Sequence, residues 1–254
     1  MQVHLVEGAE GCQFARECGG VAVIVDALRA SATAAMLLDA GATEILAVRT
    51  VEEAFEARAE LPDALLYGER GGLPPEGFDH GNSPAEAGAA RGRRVVFTTT
   101  TGAGRLVEAW GAAAVMMGSP VNGSAAARHA AALAAAAGTD VVVVPAGLMD
   151  EPDHDAQEDR AASVFLARLI LETPGATPGR GEPMLRHFGA RLASEGLAAL
   201  FHGAPHAENL RRINKTADID LCARVDATRS VPLATARHPL GVVMRAAAAT
   251  GERA

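Results

Sequence analysis

The amino-acid sequence predicts an α/β protein with a mainly parallel or mixed central sheet. Short runs of β-branched, apolar residues alternate with alanine-rich stretches over the first two-thirds of the chain, the pattern of strands covered by helices. The 254 residues are 49% hydrophobic but only 4% aromatic, so the core must consist mainly of Ala, Val and Leu. This length favours a single domain that spans residues 1–254. The alternative is two closely packed lobes at about residues 1–138 and 139–254.

The individual strands and helices follow from local patterns. The apolar runs predict strands at residues 4–7, 21–25, 44–48, 64–67, 94–98, 113–117 and 141–144, with helices in most of the gaps. Thr50 and Glu53 have the spacing of a capping box, and Ser83 followed by Pro84 favours a helix start. Beyond residue 144 we expect helices near residues 157–171, 184–200 and 205–213, a loop at 173–183, and edge strands near 219–223 and 231–233.

Composition and charge exclude several classes of protein. The net charge of -8 argues against a nucleic-acid binder, because such proteins carry a basic face. The three cysteines show no zinc-binding spacing, and a disulfide framework is not expected. The N-terminus lacks the pattern of a signal peptide, and no apolar run approaches the ~20 residues needed to span a bilayer. A cytoplasmic protein without a membrane partner is therefore expected.

The end of the predicted strand at 21–25 carries a concentration of reactive groups. Asp26 can hold a metal or attack phosphorus, and Arg29 can pair with an anion. Ser31 and Thr33 lie where a following helix begins and its free N–H groups face an anion. The alternative interpretation is an ordinary helix N-terminus with an acidic cap.

The segment at residues 69–84 has the length and glycine content of an active-site loop. Glu69, Glu76 and Asp79 offer the hard oxygen ligands that Mg²⁺ prefers, and Arg70 can contact a phosphate or carboxylate with two hydrogen bonds. The alternative is a turn with solvated charges.

Two further polar clusters follow predicted strands. Residues 98–101 are all threonine and precede Gly102, as in an anion cradle, although threonine runs are also ordinary strand content. Asn122 and Ser124 can contact a ligand or simply cap a helix. Parallel strands would bring all of these clusters to one crevice, whereas antiparallel strands would divide them between two edges. Glu158 and Asp159 can face the same crevice, and the acidic cluster at residues 153–155 suits a helix N-terminus better than a metal.

Several motifs in one order resemble the 2-phosphosulfolactate phosphatase (ComB) family. They span about residues 21–231 and include V-D-A-L-R-A-S-A-T, G-E-R-G-G, E-G-F-D-H-G-N-S-P, V-F-T-T-T, G-S with Asn122, E-D at 158–159 and C-A-R-V-D at 222–226. The resemblance implies a three-layer α/β/α fold and a Mg²⁺-dependent phosphatase acting on a 2-phospho-3-sulfolactate-like ester. Thr101 and Ala103 depart from the family pattern T-T-T-N-G-T, and Pro145 departs from its C-A-G turn.

Together these observations predict roles for individual residues. The predicted catalytic residues are Asp26, Arg29, Glu69 and Arg70. The predicted Mg²⁺ ligands are Asp26, Glu69 and Asp79. Substrate or phosphate contacts are predicted for Ser31, Thr33, Asn82, Ser83, Thr99, Thr100, Thr101, Gly102, Ser119 and Asn122.

Two questions stay open at this point. Asp26 either attacks phosphorus or orients a metal-bound water. The expected substrate is a small anionic phosphate ester, and the alternative substrate is another 2-phosphorylated carboxylic acid. The alternative function is that of a non-catalytic anion-binding protein on the same fold. A symmetric homodimer is the base-rate expectation for assembly.

Overall fold

A computed structural model describes residues 1–148 and 155–248. Ten strands form one sheet, and their bounds are β1 (Gln2–Leu5), β2 (Val21–Val25), β3 (Glu44–Val48), β4 (Leu65–Gly68), β5 (Arg94–Thr98), β6 (Ala114–Met117), β7 (Val141–Pro145), β8 (Thr177–Pro178), β9 (Pro232–His238) and β10 (Gly241–Ala246). Asp153 and His154, two residues of the cluster considered above, lie outside the described residues.

Helices fill most of the connections, as the alternating pattern predicts. They are α1 (Gly8–Glu17), α2 (Ala30–Asp39), α3 (Val51–Glu60), α4 (Gly102–Glu108), α5 (Gly123–Ala137), α6 (Gln157–Leu171), α7 (Glu182–Ser194), α8 (Leu197–His202), α9 (Pro205–Arg212) and α10 (Thr216–Cys222). Two short 3-10 helices span Pro84–Ala90 and Pro120–Asn122. None of the described helices is long and apolar enough to cross a membrane.

The sheet is mixed and has helices on both faces, in a three-layer α/β/α arrangement. Alternate residues of one strand enter different cores because successive side chains point to opposite faces. In β2, Val23 packs with α5 and α6 on one face, whereas Ala22 and Ile24 pack with α1, α2 and α4 on the other. A third cluster packs α3 against β3, β4 and β5. The predicted fold class is confirmed.

The strand order β4-β5-β3-β10-β9-β6-β2-β7-β1-β8 contains two parallel halves. Between them lies the hairpin β9–β10, antiparallel to both neighbours. The strands of the two halves consequently run in opposite senses. The sequence placed an edge strand near residues 231–233, but β9 lies inside the sheet, and β10 was not predicted.

Sheet twist explains how the carboxyl ends of both halves still reach one region. Neighbouring strands are rotated by roughly 20–25°, so the six steps from β4 to β2 accumulate about 120–150° of rotation. This rotation compensates for most of the reversal that the hairpin introduces. The carboxyl ends of β2 and β4 therefore face a common cavity even though their halves of the sheet run in opposite senses.

Three further local predictions need correction. Residues 219–223 were expected to form a strand, but Ile219 and Cys222 are both buried at helical spacing in α10. The single helix expected at 184–200 is divided into α7 and α8, because Gly196 has a positive φ of 82° that ends the first helix. The expected loop at 173–183 contains the two-residue strand β8, which pairs with β1.

Candidate active site

A cavity of about 380 Å³ lies beyond the carboxyl ends of β2, β4, β5 and β7, a volume typical of small-molecule sites. Loops after these strands and residues of α6 and α9 surround it. Its described lining consists of Asp26, Leu28, Arg29, Glu69, Gly71, Gly72, Asn82, Thr100, Thr101, Gly147, Leu148, Ala156, Glu158, Asp159, His206, Asn209, Arg212 and Ile213.

Asp26 lies directly after β2, where the chain turns into α2. Its Oδ1 accepts a hydrogen bond from the Ala30 backbone N–H at 3.1 Å. Gly102 approaches the same carboxylate so closely that an added Cβ would lie 2.6 Å from Asp26 Oδ2. Loss of hydration, followed by the nearby Glu69 charge, raises the pKa of Asp26 to about 6. Glycine at position 102 is therefore required by the packing around this carboxylate.

Two more carboxylates enter the cavity from the start of α6. Asp159 accepts hydrogen bonds from the backbone N–H groups of Ala27 at 2.7 Å and Gly147 at 3.1 Å. It thereby holds the ends of β2 and β7 together. Glu158 is 4% exposed, and its Oε2 has no hydrogen-bond partner among the described residues. Glu158 is thus a buried hydrogen-bond acceptor that lines a cavity, and a proton or a cation bound there would satisfy it.

The charge of Asp26 raises the pKa of its two neighbours Glu158 and Asp159. Burial is the largest cause of the shift in Glu158, whose pKa rises to about 8, and the Asp26 charge adds to it. The pKa of Asp159 also rises well above its usual value, because the group is buried beside Glu158 and Asp26. Such a cluster favours the binding of protons or cations at neutral pH.

Glu69 connects the loops after β4 and β5, which both line the cavity. Its Oε1 accepts from the Thr100 backbone N–H at 2.7 Å, and its Oε2 accepts from the Gly72 N–H at 2.8 Å and the Thr100 hydroxyl at 3.1 Å. These donors occupy both oxygens of the buried carboxylate. Glu69 therefore holds the loops after β4 and β5 together.

Arg29 is a buried cation in the cavity wall, 2% exposed. Its Nη1 donates to Asp218 Oδ2 at 2.6 Å, and its Nη2 donates to the Gly72 carbonyl at 2.8 Å. Ser83 donates to the other oxygen of Asp218 at 2.7 Å. Arg29 is therefore fixed in place by α10 and by the loop after β4.

The threonine run is only partly in the cavity. Thr100 and Thr101 line it, and the Thr101 hydroxyl has no hydrogen-bond partner in the described parts of the chain. Thr99 instead accepts from the Ala103 N–H at 3.0 Å and so caps α4. Ala103 is fully buried and does not line the cavity, so its departure from the family pattern removes no group from the lining.

Ser31, Thr33 and Ser83, also predicted for the site, lie in the structure that supports the cavity. Ser31 donates to the Ile24 carbonyl and accepts from the Asp26 N–H. Thr33 is fully buried, and its hydroxyl has no hydrogen-bond partner within the described segments. Ser83 contacts Asp218, as described above, while Asn82 lines the cavity.

The predicted residues Arg70, Asp79, Ser119 and Asn122 also lie outside the cavity lining. Arg70 donates to Thr98 Oγ1 at 2.9 Å and to the Arg49 carbonyl at 3.0 Å. Asp79 accepts from Arg58 and from the Leu66 N–H, both at 2.8 Å. Ser119 and Asn122 close a turn in which the Ser119 N–H donates to Asn122 Oδ1 at 2.9 Å. The polar residues after β6 thus begin a helix and do not line the cavity. Residues after β7 line it instead.

Sequence reasoning missed the contribution of the C-terminal helices. His206, Asn209, Arg212 and Ile213 line the cavity from α9 and its end, and Asp218 supports Arg29 from α10. None of these residues directly follows a strand, which is the pattern that predicts the other site residues. The sequence signal that could have identified them is the polar residue at every third position of α9, which indicates a polar side of the helix.

The fold and the carboxylate-lined cavity define an α/β protein with a small-molecule site, and its relatives are phosphoric monoester hydrolases by name. The model of the family described as 2-phosphosulpholactate phosphatase matches residues 9–237, and the chain belongs to this family. A probable 2-phosphosulfolactate phosphatase of Deinococcus radiodurans is 39% identical over 219 residues, which cover 84% of this chain and 86% of that protein. Proteins of the same name from Carboxydothermus hydrogenoformans and Clostridium acetobutylicum are 32% and 28% identical, covering 83% and 91% of this chain and 84% and 97% of their own lengths.

Proposed function

We propose that this protein hydrolyses 2-phospho-3-sulfolactate to 3-sulfolactate and inorganic phosphate with Mg²⁺ as its cofactor. Family membership and the names of the relatives support the reaction class and the substrate. The observation that carries the proposal is the juxtaposition of three mutually repelling carboxylates and the buried Arg29 in one cavity. This arrangement offers a position for a cation and a fixed donor for an anion.

The residues present fit a magnesium ion that is held jointly by protein and substrate. Among the described residues, no group of three His, Cys, Asp or Glu side chains is placed to hold a metal. Mg²⁺ commonly takes only one or two carboxylates and completes its shell with water and phosphate oxygens. Asp26 and Glu158 would supply these carboxylates, because Glu158 Oε2 is buried without a partner among the described residues and the Asp26 charge raises the pKa of Glu158.

Other predicted ligands have different surroundings. Both oxygens of Glu69 accept hydrogen bonds from the loops, and Asp79 is engaged by Arg58 away from the cavity lining. When bound, Mg²⁺ would neutralise negative charge on the phosphate and make phosphorus more open to attack.

The protein's own groups would orient the ester. Arg29 donates to an oxyanion of the substrate while its Asp218 partner keeps the guanidinium fixed. Thr100, Thr101 and Asn82 supply neutral donors and acceptors around the remaining oxygens. Asp159 holds the ends of β2 and β7 through the N–H groups of Ala27 and Gly147, and so fixes the backbone beside Asp26.

Two routes break the bond between phosphorus and the ester oxygen. Asp26 attacks phosphorus and a water then hydrolyses the acyl phosphate, or Asp26 orients a water that attacks phosphorus directly. The first route inverts phosphorus twice and retains its configuration; the second inverts it once. Hydrolysis of a substrate with a chiral, isotopically labelled phosphate distinguishes the routes.

The primary test measures phosphate release from 2-phosphosulfolactate, 2-phospholactate and phosphoglycolate, with Mg²⁺ and with a chelator. We expect Mg²⁺-dependent release with preference for 2-phosphosulfolactate. Release that survives complete chelation would remove Mg²⁺ from the proposal. Absence of release from every ester would overturn the proposed reaction.

A further inference from the structure

The cavity has a second cationic side chain that the reaction itself does not use. Arg29 and Arg212 are the arginines of its described lining, and they differ in surroundings. Arg29 is buried and paired with Asp218 at 2.6 Å, so its charge is balanced before any substrate binds. The Arg212 side chain is 70% exposed, and it contacts the exposed Glu208 carboxylate at 3.4 Å. Arg212 therefore has more unsatisfied capacity to bind an anion.

Arg212 belongs to a polar stripe along α9. His206, Asn209 and Arg212 are three residues apart, so they occupy one side of the helix, and all three line the cavity. The opposite side of α9 carries the buried residues Ala207 and Leu210, which anchor the helix in the core. The helix thus presents an imidazole, an amide and a guanidinium to the same space.

The end of α9 is fixed against the loop that carries Glu69. Ile213 packs so tightly on Gly72 that an added Cβ there would lie 2.7 Å from Ile213 Cδ1. Just beyond the helix, the Lys215 N–H donates to the Leu210 carbonyl at 2.8 Å, and Lys215 Nζ pairs with Glu86 at 2.7 Å. These contacts hold the backbone at Arg212 in a defined position beside the cavity, which its largely exposed side chain helps to line.

We propose that Arg212, with Asn209, binds the sulfonate group of the substrate and makes α9 the element that determines specificity. This inference rests on the proposed phosphatase function. A sulfonate stays anionic at all relevant pH values, and its oxygens accept from a guanidinium fork and an amide N–H together. The carboxylate cluster and Arg29 serve the phosphate, and α9 recognises the end of the molecule that is not transferred.

The decisive variants are Arg212→Gln and the matched control Arg211→Gln. Arg211 is the next residue of α9, but it does not line the cavity, and it donates to the His202 carbonyl and to Glu208. Both variants lose one positive charge from the same helix turn. Arg211→Gln also loses the hydrogen bond to the His202 carbonyl, so a change in substrate preference confined to Arg212→Gln reports the sulfonate contact.

The kinetic readout is the ratio of kcat/KM for 2-phosphosulfolactate to that for 2-phospholactate, which has a methyl group in place of the sulfomethyl group. We expect Arg212→Gln to lower this ratio at least tenfold, mainly through KM, and Arg211→Gln to change it less than twofold. An unchanged ratio in Arg212→Gln, or an equal loss in both variants, would overturn the inference.

A binding measurement separates this inference from the phosphatase proposal. Calorimetry with 3-sulfolactate and with lactate requires no turnover. Weaker binding of 3-sulfolactate to Arg212→Gln than to the parent protein would support the sulfonate contact even if no ester were hydrolysed. Equal binding to both proteins, or none to the parent protein, would contradict it.

Discussion

Arg29 and Asp218 are 189 positions apart in the sequence, yet Arg29 Nη1 lies 2.6 Å from Asp218 Oδ2 in the wall of the cavity. Both side chains are buried, at 1% and 3% exposure. Asp218 also accepts from Ser83 at 2.7 Å, so one carboxylate joins α10, the start of α2 and the segment before Pro84. This pair links the C-terminal helices directly to the candidate active site.

The variant Asp218→Asn tests that link. Removing one charge of a buried pair leaves the other uncompensated, which costs roughly 3–5 kcal/mol of stability. Arg29 then loses the partner that orients it, and we expect kcat/KM to fall at least tenfold. Circular dichroism and thermal unfolding report the fold, and steady-state kinetics report the activity. The control Asp220→Asn lies on the same helix and removes only an exposed contact with His202. If both variants behaved alike, Asp218 would have no special role.

Asp26→Asn is expected to separate stability from catalysis. The amide keeps nearly the same shape but removes a charge that burial and Glu69 disfavour, so Tm should rise or stay the same. Turnover should fall by a factor on the order of 10³, because either role of Asp26 needs the carboxylate. Thermal unfolding and phosphate release measure the two effects in one preparation. Substantial turnover in the folded variant would exclude both mechanistic roles.

Gly102→Ala should damage the site through packing alone. The new Cβ would lie 2.6 Å from Asp26 Oδ2 and 2.7 Å from the Ala30 Cβ, so the Asp26 carboxylate has to move. We expect a loss of about 1–3 kcal/mol in stability and a fall in kcat larger than that in Asp218→Asn. Gly189→Ala in α7 is the control, because its Cβ meets nothing within 4 Å. Normal kcat in Gly102→Ala would show that the Asp26 position is not critical.

Local patterns predicted the part of the site that follows strands. Asp26, Glu69, Thr100 and Thr101 were identified because each comes just after an apolar run, and the structure brings all four to one cavity. This convergence was expected from parallel strands, but the two halves of the sheet run in opposite senses. The inserted hairpin has little local signal, since its pairing partners β3 and β6 are more than 100 residues away in the chain.

The contribution of the C-terminal helices could not be derived from local pattern. Asp218 lies in α10 among apolar residues that suggested a strand, and only tertiary packing shows that its carboxylate faces Arg29. Asp79 has the residue type of a metal ligand, yet an ion pair with Arg58 and the Leu66 N–H holds it elsewhere. Residue type and loop length identify candidates, but the positions of distant helices decide which of them meet.

The pH dependence of stability should reveal the carboxylate cluster and test the proposed cation. The folded-state pKa of Asp26 rises from 3.8 to about 6 and that of Glu158 from 4.5 to about 8. The folded protein therefore binds more protons than the unfolded chain between about pH 4 and 8, and the contribution of these groups to stability decreases as pH rises through that window. Thermal unfolding of the metal-free protein should show Tm falling from pH 5 to pH 8.

Mg²⁺ should reverse this trend, because a cation replaces the protons and binds more strongly where the carboxylates are ionised. We expect the increase in Tm on adding Mg²⁺ to be larger at pH 8 than at pH 5.5, and Glu158→Gln to reduce both the pH slope and the increase. Glu56→Gln, an exposed position in α3, provides the matched control and should behave like the parent protein. A Tm that is independent of pH in the parent protein, or an equal response to Mg²⁺ in both variants, would contradict the assignment of Glu158 to the cation.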